Sequence, residues 1–536
     1  MLDLTLPDLL PDTSLPFRNA SGCKEWLATF PLTNTTRAHH TMTEVAEQLN
    51  LTALPPIERL KIIELLREHA TFLQDEFSRH YAGKPIPLNE TDRNAWKQAQ
   101  RLWEQFKKSY RYCLASAAHG DSGTANHLVL ITQRCLHYVG LQLQHYNFAY
   151  EPVNASLWQE LHELYQFIEQ RGASKTQVKD SLEGEQRASS CEAAYVQALL
   201  MQAARPEELT ALQIRIAGRI LQTLAPKVTV SEEMLLLSEA TPLAVDLAGQ
   251  QGAVSMDLCL GGDSLRFLDM DPFRESLRRR IRKLQDGATP LSCGLPEALV
   301  QIDGIALLQR LQLHWCEGGG KPEASQAYAG EAAIGFGIGS IHFLLTGDVF
   351  AQPEEERRLS AREQEEIRLF GRISEHTKAR RAAEQNVALE HWQIVDMTLT
   401  GYRLRRPERL AAGLVIGQLA ALQVPGRDGF MLGSVRALSN DSSKGFLVVI
   451  GLLPGKPVAV AVRNAGTAVA NKKFVPGFYL PPVPAMGTPP SLIFAPGTLQ
   501  SKLLEIYNAR PLLANTARLL EKGPDYERFA LKTEPV

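Results

Sequence analysis

Three residues that could recognise a ligand lie at the end of one strand-like segment, WQIVDMTLTGYRL, which runs from Trp392 to Leu404. Asp396, Thr398 and Gly401 form the pattern Asp-x-Thr-x-x-Gly. The carboxylate accepts hydrogen bonds, a hydroxyl two residues later points to the same face of a strand, and glycine lets backbone or ligand come close. Such a strand end can accept hydrogen bonds from the N–H edge of a guanine base. The alternative is that Asp396 and Thr398 cap backbone groups of a local turn.

Two arginines precede this strand end. Arg372 lies 24 residues before Asp396, and Arg368 lies four residues before Arg372 in the segment RLFGR. The planar guanidinium group suits phosphate and the O6/N7 edge of guanine. Arg358 and Arg362 have the same spacing in the same charged run and are the alternative pair. On an ordinary helix the R-x-x-x-R spacing makes only an exposed i,i+4 pair, so the spacing does not settle which pair, if either, binds a ligand.

The order of these motifs resembles the PilZ domain, in which R-x-x-x-R is followed downstream by D/N-x-S-x-x-G. The resemblance implies a small antiparallel β-barrel that binds the bacterial second messenger cyclic di-GMP and needs no further cofactor. It implies that Arg368 and Arg372 hold phosphates and guanines. It also implies that Asp396, Thr398 and Gly401 contact a guanine edge.

The sequence departs from the PilZ pattern in three places. Thr398 replaces serine, which keeps the hydroxyl, and Tyr402 stands where many members have a second glycine. Residues 373–391 are predicted to be helical, although the family has its first barrel strand there. We therefore keep two hypotheses for the barrel: one in which it binds the nucleotide, and one in which it has lost nucleotide binding.

A second candidate binding surface is the basic helix predicted over 271–287, DPFRESLRRRIRKLQDG. Its apolar residues recur at helical spacing and predict one buried face. The basic patch that covers the rest of the helix consists of Arg274, Arg278, Arg279, Arg280, Arg282 and Lys283. This patch could bind phosphates, acidic lipid or an acidic protein, or it could be a solvated face paired with nearby acids.

The composition limits the classes of function. The chain has 536 residues, of which 44% are apolar and 22% charged, and its formal net charge is −2. These values are typical of a globular protein and give no sign of a nucleic-acid partner. No apolar run is long enough to span a membrane, and the seven cysteines are scattered, so we expect a cytoplasmic protein with reduced, buried thiols. We find no catalytic constellation and no metal-ligand spacing, and we predict that the protein is not an enzyme.

The elements that position these motifs predict a multidomain α+β protein. We divide it into an extended N-terminal arm at 1–40, a helical domain at 41–225, a mixed α/β middle domain at 226–353, and a charged linker or helix plus the PilZ-like β-barrel at 354–536. Amphipathic stripes such as that of 154–172 indicate an all-α bundle or a repeat-like stack in the helical domain. The chain after GFGIGS, 335–340, is predicted to continue as a strand, so we assign no phosphate-binding loop there.

These patterns favour a bacterial effector of cyclic di-GMP that couples nucleotide binding in the barrel to binding of an unidentified protein partner by the helical domain. The alternative is an interaction scaffold whose degenerate barrel binds no nucleotide. Neither hypothesis includes a nucleic-acid partner or a transmembrane segment. The sequence leaves open the pathway, the oligomeric state and the role of the middle domain.

Overall fold

The structure of the chain is a computed structural model. It describes residues 4–5, 8–11, 13–182, 188–233, 240–256, 262, 264–318, 324–353, 361–370, 389–407, 413–441, 445–465, 473–499 and 502–532. For residues 361–364 and 370 it describes the backbone alone. The chain forms two compact units, Met1–Pro322 and Glu323–Val536. The first unit is mainly helical, and the second is mainly antiparallel β-sheet.

Helices dominate the first part of the first unit. Their bounds are Ala20–Ala28 (α1), Thr35–Leu51 (α2), Pro56–Phe77 (α3), Glu90–Ala118 (α4), Leu128–Ala149 (α5), Ala155–Glu169 (α6), Cys191–Ala203 (α7) and Ala211–Leu224 (α8). A short hairpin, Val178–Lys179 (β1) and Ala188–Ser189 (β2), lies between α6 and α7. This bundle confirms the predicted all-α N-terminal region.

Side-chain caps explain where several of these helices begin. The capping residues are Asn19, Asn34, Asn89, Asn154, Ser190 and Thr210. Each accepts a hydrogen bond from a backbone N–H of the first turn, which the helix itself leaves unpaired. Residues 1–40 differ from the predicted extended arm, because Asn19 starts α1 and Asn34 starts α2 within them. Asparagine is also a common turn residue, so Asn19 and Asn34 in the sequence did not distinguish a helix start from a loop.

A buried ionic network ties α3 and α5 to the β1–β2 hairpin. Arg67 and Arg134 both contact Asp180, with nitrogen–oxygen distances of 3.1 Å and 2.7 Å. Both arginine side chains are 2% exposed, and the Asp180 side chain is fully buried. Burial alone would raise the pKa of Asp180, but the surrounding positive charges outweigh it and lower this pKa. The carboxylate therefore stays ionised inside the bundle.

Residues 226–318 add a small sheet and two helices to the first unit. The strands Thr229–Ser231 (β3), Leu243–Asp246 (β4), Val254–Ser255 (β5) and Leu265–Asp269 (β6) lie in the antiparallel order β3-β6-β4-β5. The helices are Asp271–Gln285 (α9) and Gly304–Cys316 (α10). Trp315 of α10 is fully buried, packs edge-on against Phe273 of α9, and donates its indole N–H to the backbone oxygen of Leu200 in α7. This predicted mixed region thus packs directly on the helical bundle.

The second unit begins with a closed ring of six antiparallel strands. They are Glu331–Phe336 (β8), Glu390–Met397 (β9), Gly401–Arg406 (β10), Leu419–Gln423 (β11), Met431–Asp441 (β12) and Gly445–Leu452 (β13). The pairing runs β9-β10-β13-β12-β11-β8 and returns to β9, and the short strand Gln326–Ala327 (β7) pairs with the other end of β9. Trp392, Leu404 and Val448 point into the ring and are completely buried.

The first strand of this barrel comes from upstream of the charged segment. The chain after GFGIGS was predicted to continue as a strand, and this prediction is wrong: β8 ends at Phe336, and the helix Ile338–Thr346 (α11) follows. Gly337 has a φ of +82°, a conformation open to glycine, and it turns the chain from strand to helix. The boundary between the units, after Pro322, therefore differs from the predicted boundary at 353.

The helix Ala361–Phe370 (α12) lies between α11 and β9 in the chain. The predicted helix over 373–391 falls mostly outside the described residues. Its last two residues, 390 and 391, already belong to β9. The ring includes β8, which precedes this stretch and pairs with β9.

A second closed barrel completes the unit, where a single barrel was predicted. Its strands are Val458–Asn464 (β14), Val475–Leu480 (β15), Ser491–Phe494 (β16), Leu503–Asn508 (β17), Arg510–Lys522 (β18) and Glu527–Leu531 (β19), in the order β14-β15-β16-β19-β18-β17. Its core holds Val462, Leu492 and Phe494, all fully buried. Together the bundle, the mixed region and the barrels confirm the multidomain α+β class.

The sequence also predicts reduced, buried thiols and no membrane-spanning helix. The described cysteines, Cys23, Cys113, Cys135, Cys191, Cys293 and Cys316, are buried and form no disulfide, and Cys259 lies outside the described residues. Burial raises the pKa of the Cys23 thiol to about 12, so it stays protonated at neutral pH. Across the described ranges, no helix has both the length and the apolar character that a membrane crossing requires.

Candidate functional site

The strand end at Asp396 lies on the outer face of the first barrel because β9 contains a β-bulge. Ile394 and Asp396 are opposite consecutive residues of β10, so Val395 has no counterpart in that register. One extra residue reverses the alternation of side chains. Ile394 is buried in the ring, whereas Asp396 shares the outer face with Arg403. Counting by twos from the buried Trp392 would place Asp396 inside.

Asp396 and Arg403 form the charged centre of this surface. A carboxylate oxygen and a guanidinium nitrogen are 3.3 Å apart, and the side chains are 16% and 51% exposed. Together they offer hydrogen-bond acceptors and donors side by side, as a guanine edge or a phosphodiester requires. Sequence reasoning missed Arg403, because its position opposite Asp396 depends on the turn and the bulge. The alternation in GYRLRR was the signal that could have identified it as outward-facing.

Thr398 serves the turn between β9 and β10. Its backbone N–H donates to the Gly401 oxygen at 2.8 Å, and its hydroxyl accepts from the Thr400 N–H at 3.3 Å. These contacts match the local capping alternative for this threonine. The turn presents Leu399 to solvent with 96% of the side chain exposed.

Gly401 allows two neighbouring strands to pack closely. In the register it is opposite Gly451 of β13. A Cβ atom at Gly401 would clash with the backbone oxygen of Ile450. The glycine of the motif therefore lets two strands approach closely, which explains it without a ligand.

Of the four arginines predicted to bind the ligand, Arg368 is the one whose side chain the structure describes. Arg368 lies on α12 and is exposed. Arg362 lies on the same helix, where only the backbone is described, and Arg358 and Arg372 lie outside the described residues. The structure thus places Asp396, Thr398 and Gly401 at one strand end. The contribution of either arginine pair stays a prediction.

Two more arginines of β10 flank the charged centre. Arg405 faces outward and donates to the side-chain oxygen of Gln393 at 3.1 Å. Arg406 faces the other way, is 2% exposed, and pairs with Glu390 at 3.0 Å. The outer face of β10 therefore carries two guanidinium groups, on Arg403 and Arg405, while Arg406 is structural.

A cleft of about 480 Å³ opens beside the exposed turn. Leu399 of the turn and Met486, from the connection between β15 and β16, line it, so side chains of both barrels contribute. Arg427, Asp428 and Lys456 bring charge to an otherwise mainly apolar wall. The charged centre thus has a partly apolar recess as its neighbour.

The basic patch forms on a helix with one buried face, as predicted. The helix α9 buries Phe273 completely. Arg279, Arg282 and Lys283 are exposed, and Arg274, Arg278 and Arg280 are partly covered. Arg279 pairs with Glu275 across one turn at 3.6 Å, where both side chains are more than half exposed, so this pair contributes little to stability. The binding of an anionic partner by the patch stays a prediction.

Comparison with known proteins identifies a family domain in the first unit. Residues 21–234 match a family model described as the N-terminal domain of the cyclic-di-GMP receptor FimW. The cyclic-di-GMP receptor FimW of Pseudomonas aeruginosa is 26% identical over 327 residues, which make up 60% of this chain and 53% of that protein. The chain therefore spans about half the length of this relative. The family match extends from α1 to the end of β3 and does not include the barrels.

Proposed function

We propose that the chain is a bacterial receptor for cyclic di-GMP that acts as an effector and has no catalytic activity. The observation that carries this proposal is the match of residues 21–234 to the N-terminal domain of a receptor for the same messenger. The likeness to the receptor from Pseudomonas aeruginosa supports it. We also propose a cytoplasmic location, since the receptor has to meet a messenger that acts inside the cell.

The messenger binds, in this proposal, on the outer face of the first barrel. Asp396 accepts hydrogen bonds from the N–H edge of a guanine, and Arg403 donates to a phosphate or to the O6/N7 edge of a guanine. The adjacent donors and acceptors of this pair, 3.3 Å apart and partly exposed, support the assignment. Thr398 and Gly401 act by holding the turn and the strand spacing that place Asp396.

The upstream arginines complete the proposed site. Arg368 and Arg372 supply guanidinium groups to the phosphates and guanines, and Arg358 and Arg362 are the alternative pair. The exposure of Arg368 on α12 supports its availability to a ligand.

The helical bundle is the proposed part that binds a protein partner. It is the part of the chain that matches a receptor domain. The basic patch on α9 is the proposed surface for an anionic partner, because three of its cations are exposed. The messenger can control partner binding only if it favours one arrangement of the protein over another.

Isothermal titration of the full chain with cyclic di-GMP, with GTP as a control ligand, tests the proposal. We expect a dissociation constant of about 1 μM or tighter. Asp396→Asn and Arg403→Gln should each weaken binding by about tenfold or more, because each removes a charge-assisted hydrogen bond. Arg510→Gln, an exposed arginine of the second barrel, is the matched control and should leave the affinity unchanged.

Three outcomes would count against parts of the proposal. No heat from folded protein at about 1 mM messenger would reject receptor function. Full affinity in both Asp396→Asn and Arg403→Gln would reject this site while leaving receptor function intact. Full affinity in the Arg368→Gln/Arg372→Gln variant, with loss in Arg358→Gln/Arg362→Gln, would transfer the upstream role to the alternative pair.

The alternative function is an interaction scaffold whose barrel binds no nucleotide. The local hydrogen bonds of Thr398 and the packing of Gly401 favour it, because both residues have structural roles without a ligand. The ion pair between Asp396 and Arg403 is likewise complete within the protein. This alternative predicts that the full chain gives no heat with cyclic di-GMP and that its partner binding is unaffected by the messenger.

A further inference from the structure

A cavity inside the helical bundle is separate from the strand end of the first barrel. Its volume is about 380 Å³, which lies in the range of small-molecule sites. Side chains of α3, α4, α5, α7 and α8 enclose it. Its wall is rich in hydrogen-bonding groups, among them those of Thr71, His137, Gln144, Gln197 and Arg215. A gap left by imperfect apolar packing would have none of these groups.

Two buried polar atoms of the wall lack a hydrogen-bond partner among the described residues. They are the indole nitrogen of Trp103 and the hydroxyl oxygen of Thr71. The Trp103 side chain is only 2% exposed. A buried donor without an acceptor is costly, and native proteins satisfy such groups with water or with a ligand. The cavity is therefore the place where an acceptor for Trp103 is to be expected.

Two glycines in the middle of helices also line the cavity: Gly140 of α5 and Gly218 of α8. Glycine destabilises a helix interior relative to alanine. A Cβ atom at Gly218 would lie 2.9 Å from the Gln144 side-chain nitrogen, so this glycine makes room for Gln144. At Gly140 a Cβ atom would meet Ala198 at 3.8 Å, an ordinary contact distance. Gly140 thus enlarges the cavity although the surrounding protein has room for a methyl group.

Two arginines line the cavity, and the exposed Arg219 marks its mouth, the side on which it opens to solvent. Arg215 and Arg219 lie one turn apart on α8, and Asp75 of α3 lines the same cavity. Arg215 donates to the Ser78 hydroxyl at 2.6 Å and lies over the Phe148 ring, and Arg219 is exposed. Arg215, Arg219, Arg79 and Glu76 all act electrostatically on Asp75, so three positive and two negative charges leave one positive charge in excess. Arginine forks at such a mouth suit a phosphate group.

The histidines of the wall contribute hydrogen bonds without charge. Burial lowers the pKa of His137 to about 4 and that of His145 to about 3. At pH 7 both rings are therefore neutral. The ring of His145 is already held by the Tyr81 hydroxyl. Among the residues that line the cavity, the positive charge is therefore carried by Arg215 and Arg219.

We propose that the helical bundle holds a second binding site, for a small phosphorylated molecule of mononucleotide size. Arg215 and Arg219 bind the phosphate at the mouth. The planar body of the ligand lies inside, where it receives the indole N–H of Trp103 and the side chains of Gln144 and Gln197. Cyclic di-GMP is twice this size and is not the expected occupant, so the site is independent of the proposed receptor function.

Isothermal titration of the full chain with guanosine 5′-monophosphate, guanosine and inorganic phosphate tests this site. The monophosphate should bind with a dissociation constant below about 1 mM. Guanosine and phosphate should each bind at least about tenfold more weakly, because each lacks one half of the recognised chemistry. Arg219→Gln should weaken binding of the monophosphate by about tenfold, because it removes a charge-assisted hydrogen bond. Arg219 is exposed, so the substitution does not disturb the core.

Matched variants distinguish this site from other arginine surfaces. Arg37→Gln, an exposed arginine of α2, should leave the affinity for the monophosphate unchanged. Arg403→Gln tests whether the monophosphate binds instead to the guanine site proposed on the first barrel. Binding that is lost in Arg403→Gln and kept in Arg219→Gln would overturn the proposal.

Gly140→Ala provides a second test with two readouts. The variant should raise the melting temperature of the ligand-free protein, because alanine is the better helix former. It should also weaken binding of the monophosphate by about tenfold, because the added methyl group occupies space that the ligand needs. A purely structural glycine would change the melting temperature without changing the affinity. Unchanged affinity in both Gly140→Ala and Arg219→Gln, or no binding to the folded wild-type chain at about 1 mM monophosphate, would overturn the proposal.

Discussion

At the scale of single residues, one unpaired position decides what Asp396 contacts. Without Val395 as an extra residue, Asp396 would follow Trp392 and Ile394 into the barrel interior, where an isolated carboxylate is costly. The bulge turns it outward, against Arg403. Bulges commonly re-aim a side chain near a functional site. The chemistry of this strand end therefore depends on the backbone register as much as on the spacing of the motif.

Loss of the buried carboxylate of Asp180 should destabilise the first unit strongly. Asp180→Ala removes the fully buried carboxylate that Arg67 and Arg134 share and leaves them the partly exposed Glu64, 3.7 Å and 2.9 Å away. We expect the free energy of unfolding of the first unit to fall by about 3–5 kcal/mol, as is typical when one partner of a buried pair is removed. Urea denaturation followed by the circular dichroism of the helices measures this change.

The control for that prediction is an ion pair on the surface of the same unit. Arg101 pairs with Glu47, and the Arg101 side chain is 54% exposed. Glu47→Ala should lower the free energy of unfolding by less than about 1 kcal/mol. Equal losses in Asp180→Ala and Glu47→Ala would show that the buried network has no special weight.

At the scale of elements, the sequence predicts best those segments in which several local signals agree. The helix α6 was predicted from its apolar stripe, and Asn154 caps it. The strand β8 lies before the predicted boundary at 353, because its pairing with β9 and β11 joins segments distant in sequence and leaves no local pattern. The helix α11 was missed because an apolar, glycine-containing run suits strand and helix alike.

The candidate site was predictable only in part. Asp396, Thr398 and Gly401 do meet at one strand end, since a turn keeps neighbours together. The partnership of Asp396 with Arg403 was not predictable, because a bulge leaves no mark in a period-two pattern. The ligand-sized space in the bundle, with Arg215 in its wall, depends on five helices that are distant in sequence, and no local pattern encodes it.

The two faces of the helix α9 should contribute unequally to stability. Leu277→Ala, on the fully buried face, should lower the free energy of unfolding by about 2–5 kcal/mol. Replacing the exposed Arg279, Arg282 and Lys283 by glutamine should change it by no more than about 0.5 kcal/mol for each residue. Urea denaturation of both variants measures the difference, and a large loss in the glutamine variant would mean that the basic patch is part of the fold.

At the scale of the whole molecule, buried histidines make the stability of the first unit depend on pH. Burial lowers the pKa of His39, His137 and His314 to about 4, and that of His145 to about 3. In the unfolded chain a histidine has a pKa of about 6.5. Below that pH the unfolded state binds protons that the folded state does not bind. The folded state is therefore most stable above about pH 6.5 and loses stability as the pH falls toward about 4.

Between pH 7 and pH 5 this linkage should lower the free energy of unfolding by on the order of 1–2 kcal/mol for each of these histidines. Urea denaturation at both pH values, followed by tryptophan fluorescence, measures it. The signal reports mainly on the first unit, because Trp392 is the sole tryptophan of the second. His39→Gln removes one titrating group and should show a smaller loss; a loss as large as that of the wild-type chain would contradict the assignment.

The position of β8 decides where the chain can be divided for experiments. A fragment that begins at 354, ahead of the recognisable motifs, lacks this strand and leaves the edges of β9 and β11 without their partner. Open edges of this kind pair with other chains and promote aggregation. A fragment that begins at Glu323 keeps the ring complete. Failure of the shorter fragment to bind a nucleotide would therefore report a missing strand, and would say nothing about Asp396.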